Sequence, residues 1–181
     1  LTGKLPTEHG IVGNGWYDRF LNEHHFWKQS NRLVQGEKVW ETLRKHKSDF
    51  TCANLFWWYN MYSSADYSIT PRPLYRSDGL KVFDIHSEPL SIRDEIKKDL
   101  GEFPFPSFWG PLAGIASSQW IANAAKWIEK KHQPDLNLIY LPHLDYDLQR
   151  YGPNDPICTK AIREIDQLSG ALIDFLSQRG I

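Results

Sequence analysis

The residues best suited to chemistry lie in one short stretch. His143, Asp145, Asp147 and Gln149 follow an apolar run, Leu136 to Leu141, bounded by Pro134 and Pro142. Such a run between prolines reads as a buried strand. In α/β folds the carboxyl ends of strands are where ligands and catalytic groups gather. Carboxylates placed there are hard anionic donors for divalent cations, and an imidazole would add a nitrogen donor. On an extended backbone residues 143, 145 and 147 share a face, so His143 and Asp145 could serve one ion. A Gly152-Pro153 turn closes the stretch.

A second stretch, His9-Gly10-Ile11-Val12-Gly13-Asn14, stands in a glycine-dense segment from Leu1 to Asp18. This is loop chemistry, with glycine serving tight backbone angles. Asn14 has two readings here, an amide donor to an anion or a turn former that tolerates left-handed angles. His9 reads as a structural residue bonding the loop backbone. A third stretch, Phe56-Trp57-Trp58-Tyr59 with Tyr62 and Tyr67, is aromatic. Its faces could stack on a planar or sugar-bearing group, or pack one part of the chain on another. The run Phe103 to Trp109 reads as packing, and His24-His25 as a solvated loop pair.

The elements that must position these residues follow from periodicity. Helices are expected over Gly36 to Lys47, from Ser87-Glu88-Pro89 to Leu100, over Ser117 to His132 with Ser117 or Ser118 as cap, and over Ile157 to Gln178. Strands are expected over Phe50 to Phe56 and Leu136 to Leu141, with a proline-punctuated excursion from Ser63 to Gly79. Helix, strand, helix in this rhythm predicts an α/β fold, a sheet covered by helices. Residues 1–56 and 117–181 read as core elements of one partial domain, and 57–116 as an aromatic-rich insertion or cap.

Bulk properties narrow the partners. The 181 residues carry a net charge of −1, so no basic field argues for nucleic acid. The aromatic content of 14%, with eight Trp, points to large rigid surfaces. Cys52 and Cys158 set no disulfide or metal-knuckle pattern. No apolar run reaches membrane-spanning length. The sequence opens on Leu1 rather than Met and stops just after a long helical pattern. It reads as a piece of a larger protein, its compartment left open.

Leu1-Thr2-Gly3, Pro6-Thr7-Glu8-His9-Gly10-Ile11-Val12 and Asn14, taken with Asp145, Gln149 and Gly152-Pro153, resemble the type I phosphodiesterase/nucleotide pyrophosphatase family of the alkaline phosphatase superfamily. In that family a His usually stands where Gln149 stands here, and an aromatic residue lies where Tyr140 lies, five positions before the Asp. The resemblance covers the chain from end to end. It implies an incomplete three-layer α/β/α core and hydrolysis of a small-molecule phosphate ester or nucleotide through a phospho-Thr or phospho-Ser intermediate.

By the same resemblance Asp145 is a metal ligand, with Gln149 or His143 as its companion. Asn14 is the amide donor to phosphate, while Tyr140, Trp57 and Trp58 line the substrate. Two divalent ions are implied; zinc is expected, with manganese better suited to an amide oxygen. The nucleophile would precede Leu1, and the Asp-His-Gly ligands would follow Ile181, so this piece alone is expected to be inactive. Two other readings stay open. One is a phosphonate or phosphomonoester hydrolase of the same superfamily. The other is a non-enzymatic carbohydrate- or lipid-binding module with a decayed metal site.

Overall fold

The glycine-dense start is not all loop. In the computed structural model, which describes residues 1–181, one helical turn, α1 (Pro6–His9), leads into a hairpin of β1 (Gly15–Asp18) and β2 (Glu23–Phe26). Gly10 ends that turn at φ 79°, a left-handed angle that glycine adopts without steric cost. A Cβ on Gly15 would come within 2.8 Å of the Phe26 ring across the hairpin, so any other residue there would have to push that ring aside. His24 and His25 belong to this hairpin, with His25 Nε2 3.6 Å from Asp18.

The chain continues through α2 (Val39–His46), β3 (Cys52–Leu55) and β4 (Tyr67–Pro71). A small hairpin of β5 (Leu74–Tyr75) and β6 (Lys81–Val82) precedes β7 (Ile85–Glu88) and α3 (Ser91–Leu100). Then come α4 (Ile115–His132), β8 (Leu136–Ile139), α5 (His143–Tyr151) and α6 (Pro156–Ser177). The main sheet has the order β7-β4-β3-β8, with β3 parallel to both β4 and β8 and only β7 antiparallel. A mostly parallel sheet must be covered on both faces, and β3 is buried at all four positions.

Side-chain alternation along β3 explains the layers. Ala53 and Leu55 point into the larger core, where Ile69 of β4 and Ile85 of β7 meet Trp120, Ile121 and Ile128 of α4. Cys52 points the other way, to Trp40 of α2 and Ala65. Helix, sheet and helix are therefore stacked as three layers, and α6 packs on α4 and α5. Asp155 caps α6 by accepting from Ile157 N at 2.9 Å, with Pro156 at its first position.

Three expectations change. Residues 57–116 supply β4 and β7, half of the main sheet, and Phe103, Phe105 and Phe108 of the larger core, so they are not set apart as a cap. Ser68 and Thr70 hide β4 from a hydrophobic pattern, yet both side chains are buried. Ser87 and Glu88 finish β7 rather than starting a helix. Ser117 does not cap α4; the helix begins at Ile115, and the Ser117 hydroxyl donates to Gly114 O at 3.0 Å.

Candidate active site

Beyond β8 the chain keeps its pairing for one more residue, Tyr140 N donating to Leu55 O at 3.1 Å, then turns at Pro142 into α5. The polar stretch is thus a helix and not an extended segment, and this reverses one expectation. Helical residues four apart share a face; residues two apart do not. Asp145 and Gln149 stand one turn apart and both line a cavity of about 400 Å³. His143 is turned away into the interior. It is only 3% exposed, and its Nε2 lies 2.8 Å from the Glu164 carboxylate of α6. Its place is in the α5–α6 contact rather than beside Asp145.

Asp145 is held from behind. The Tyr140 hydroxyl donates to Asp145 Oδ2 at 2.8 Å, which fixes the carboxylate at the cavity's edge and leaves Oδ1 without a protein donor. Burial pushes the Tyr140 phenol well above its ordinary range, and the Asp145 charge adds to this. Burial likewise pushes Tyr146 up to about 12, with its hydroxyl 3.2 Å from Ser117 Oγ. Both phenols stay protonated at neutral pH and can act only as hydrogen-bonding groups.

Asn14 reaches the same cavity from the far end of the chain. The buried Tyr59 hydroxyl donates to Gly13 O at 2.8 Å, and Trp27 N donates to Asn14 O at 2.9 Å. His9 Nδ1 accepts from Ile11 N at 3.1 Å, the backbone role expected of it. The aromatic loop after β3 is strained: Phe56, Tyr59 and Tyr62 have φ of 64°, 56° and 62°, angles uncommon for bulky side chains. Such strain persists where the surroundings over-determine the backbone. Here the Asn60 amide donates to Asn54 O at 2.8 Å and Ile69 O at 3.2 Å, tying the loop to β3 and β4.

Of the aromatic candidates, Tyr140 and Trp58 line the cavity, whereas Trp57 lies outside it, 37% exposed, with its ring 6.3 Å from that of Tyr140. Among the lining residues that escaped the sequence reading are Trp27, Trp109, Tyr146 and Arg150. Arg150 donates to the carbonyls of Gly110, Pro111 and Ala113 at 3.2, 3.1 and 2.9 Å, clasping the loop next to Trp109 onto α5. Tyr146 and Arg150 had a signal in their spacing from Asp145 and Gln149, once the stretch is read as helix. Trp27 and Trp109 had none.

Asp145 and Gln149 are two oxygen donors on one rim, which suits part of the coordination sphere of a divalent ion. No group of three or more His, Cys, Asp or Glu side chains gathers at a potential metal position.

Compared with known proteins, residues 1–181 match the model of the family described as type I phosphodiesterase / nucleotide pyrophosphatase. The chain belongs to this family. It is 28% identical to an uncharacterized pyrophosphatase/phosphodiesterase of Schizosaccharomyces pombe, covering 100% of this chain and 31% of that protein. It is 24% identical to venom phosphodiesterase 2 of Crotalus adamanteus, over 99% of this chain and 18% of that protein. With ectonucleotide pyrophosphatase/phosphodiesterase family member 1 of Mus musculus it shares 20%, over 100% of this chain and 16% of that protein.

Among solved structures, phosphonoacetate hydrolase from Sinorhizobium meliloti 1021, in complex with phosphonoacetate, superposes with a TM-score of 0.56 at 15% identity. The match covers 94% of this chain and 39% of that chain. The fold is thus part of the alkaline phosphatase-like α/β fold, and the chain spans less than a third of the curated relatives named here. This is a family of phosphoric ester hydrolases that usually bind metal ions. No helix of the chain is long and apolar enough to cross a membrane.

Proposed function

We propose that these residues form part of a metal-dependent phosphodiesterase/nucleotide pyrophosphatase acting on small-molecule phosphate esters or nucleotides. Hydrolysis would pass through a phospho-Thr or phospho-Ser whose side chain lies outside the 181 residues, and this chain alone would not turn over. One observation carries the reading: Asp145 and Gln149, one turn apart on α5, share a cavity with Asn14. Asp145 is a ligand through its carboxylate, oriented by Tyr140, and Gln149 a weaker ligand through its amide oxygen. The bound divalent ions, zinc or manganese, would polarise the phosphoryl group and activate the nucleophile. The Asn14 amide donates to a non-bridging oxygen as charge builds there. Trp58, with Tyr140, receives the organic group, and Trp57 flanks it outside.

The test compares the complete protein with its Asp145→Ala and Asn14→Ala variants, measuring bound metal and turnover of bis(p-nitrophenyl) phosphate. Asp145→Ala should lose metal and turnover together. Asn14→Ala should keep its metal and lose roughly 10²-fold in kcat, the cost of removing one oxyanion donor. Metal content and rate both unchanged in Asp145→Ala would overturn the assignment.

A further inference from the structure

A second cavity, of about 320 Å³, adjoins the first through a common wall of Trp27, Trp58, Phe108 and Trp109. The two differ in chemistry. The first contains the Asp145 carboxylate, whereas the second is lined by Lys28 and Arg72 and by no acidic residue. Neither cation is in an ion pair. Asp84, whose carbonyl accepts from Arg72 N, has its carboxylate engaged by Arg93 and Lys97 instead. Two unpaired cations beside an aromatic wall form a receptor for an anion attached to a flat ring.

The wall is built to stay in place. Trp27 has φ 51° and packs its indole 4.4 Å from Trp58 and edge-on 5.3 Å from Trp109. Its neighbour Lys28 and, from the far side, Arg72 and Tyr75 complete the cavity. Arg72 immediately follows β4, so its Cα position is set by the sheet rather than by a free loop.

We propose that this cavity is a second binding subsite, which takes the far arm of the substrate: a planar aromatic group bearing a further negative charge. This rests on the proposed phosphodiesterase reading, in which the phosphoryl group lies beside Asp145 and the arm crosses the tryptophan wall. Substrates would then be diesters whose second ester group is aromatic and anionic, preferred over those with a neutral group.

The experiment uses the complete protein and two probes, naphthalene-2-sulfonate and its neutral analogue naphthalene-2-carboxamide, with binding read by tryptophan fluorescence and calorimetry. The sulfonate should bind about tenfold more tightly, a preference lost in the Lys28→Gln/Arg72→Gln double variant while carboxamide affinity stays the same. With p-nitrophenyl naphthyl phosphates, the double variant should raise KM for the sulfonated diester about tenfold at unchanged kcat, and leave the unsulfonated one alone. Equal affinity of the wild type for both probes would overturn the subsite, as would an equal loss for both in the double variant. If the sulfonate preference holds but neither diester nor bis(p-nitrophenyl) phosphate is turned over, the phosphodiesterase reading fails and the anion site stands.

Discussion

Asp145 and His143 are separated by a single residue and by 200° of helix, and the helical turn decides what each can do. The carboxylate faces a cavity, while the imidazole is buried between α5 and α6 with Glu164 as its partner. Removing a buried hydrogen-bonded ring leaves both a void and a carboxylate that has lost its donor. His143→Ala should therefore cost about 2–4 kcal/mol in urea unfolding while bound metal in the folded complete protein stays unchanged. Metal loss without a stability change would return His143 to the ligand set. The residue types of this stretch were legible in the sequence; their directions were not, because Pro142 reads equally as the end of a strand and the start of a helix. Taking the stretch as extended places His143 beside Asp145, and the helix instead turns them to opposite sides.

Elements matter through the ends they fix. Asp135 joins the starts of β3 and β8: Thr51 N and Oγ1 donate to it at 2.8 and 3.1 Å, Lys47 pairs with it, and Asp135 N donates to Thr51 Oγ1 at 3.2 Å. The Lys47 ammonium, followed by the Thr51 N–H, holds its carboxyl down from the ordinary 3.8 to about 2. A carboxyl depressed in the folded state stabilises that state as the anion. That contribution is complete above pH 3.8 and is lost as pH falls through about 2. Asp135→Asn should flatten the pH dependence of unfolding between those values and leave it unaltered near neutrality; an unchanged acid limb would refute the linkage. The strands of the main sheet differ in how visible they are in the sequence. β8 shows as an apolar run between prolines and β3 as a β-prone run ahead of the tryptophans. β4 and β7 carry Ser68, Thr70, His86 and Ser87, buried polar residues that break the pattern, so half the sheet passed for an insertion. The helices were clearer, because α4 and α6 keep their apolar stripe over many turns.

At the scale of the whole molecule the two cavities are not equally complete. The rim proposed to hold metal offers two oxygen donors, Asp145 and Gln149, and binding a divalent ion tightly calls for about four or more. The neighbouring subsite is lined by the β1–β2 hairpin end, the loop after β3, the exit of β4, the β5 strand and the Phe108-Trp109 turn. Its parts are joined by contacts between distant segments, including Tyr59 on Gly13, Asn31 Nδ2 on Tyr59 O at 2.8 Å and Arg150 on three carbonyls of the 110–113 loop. None of these ties could be read from sequence spacing, since each depends on strained or irregular backbone that carries no periodic signal. They let binding and chemistry be separated by experiment. The 181-residue chain on its own should bind naphthalene-2-sulfonate within about threefold of the affinity of the complete protein, a difference of roughly 0.7 kcal/mol. It should show no metal-dependent turnover of bis(p-nitrophenyl) phosphate, because two donors and an amide lack a nucleophile to activate. Metal-dependent turnover by this chain would mean that it holds a nucleophile of its own, and would overturn the reading that places that group outside it.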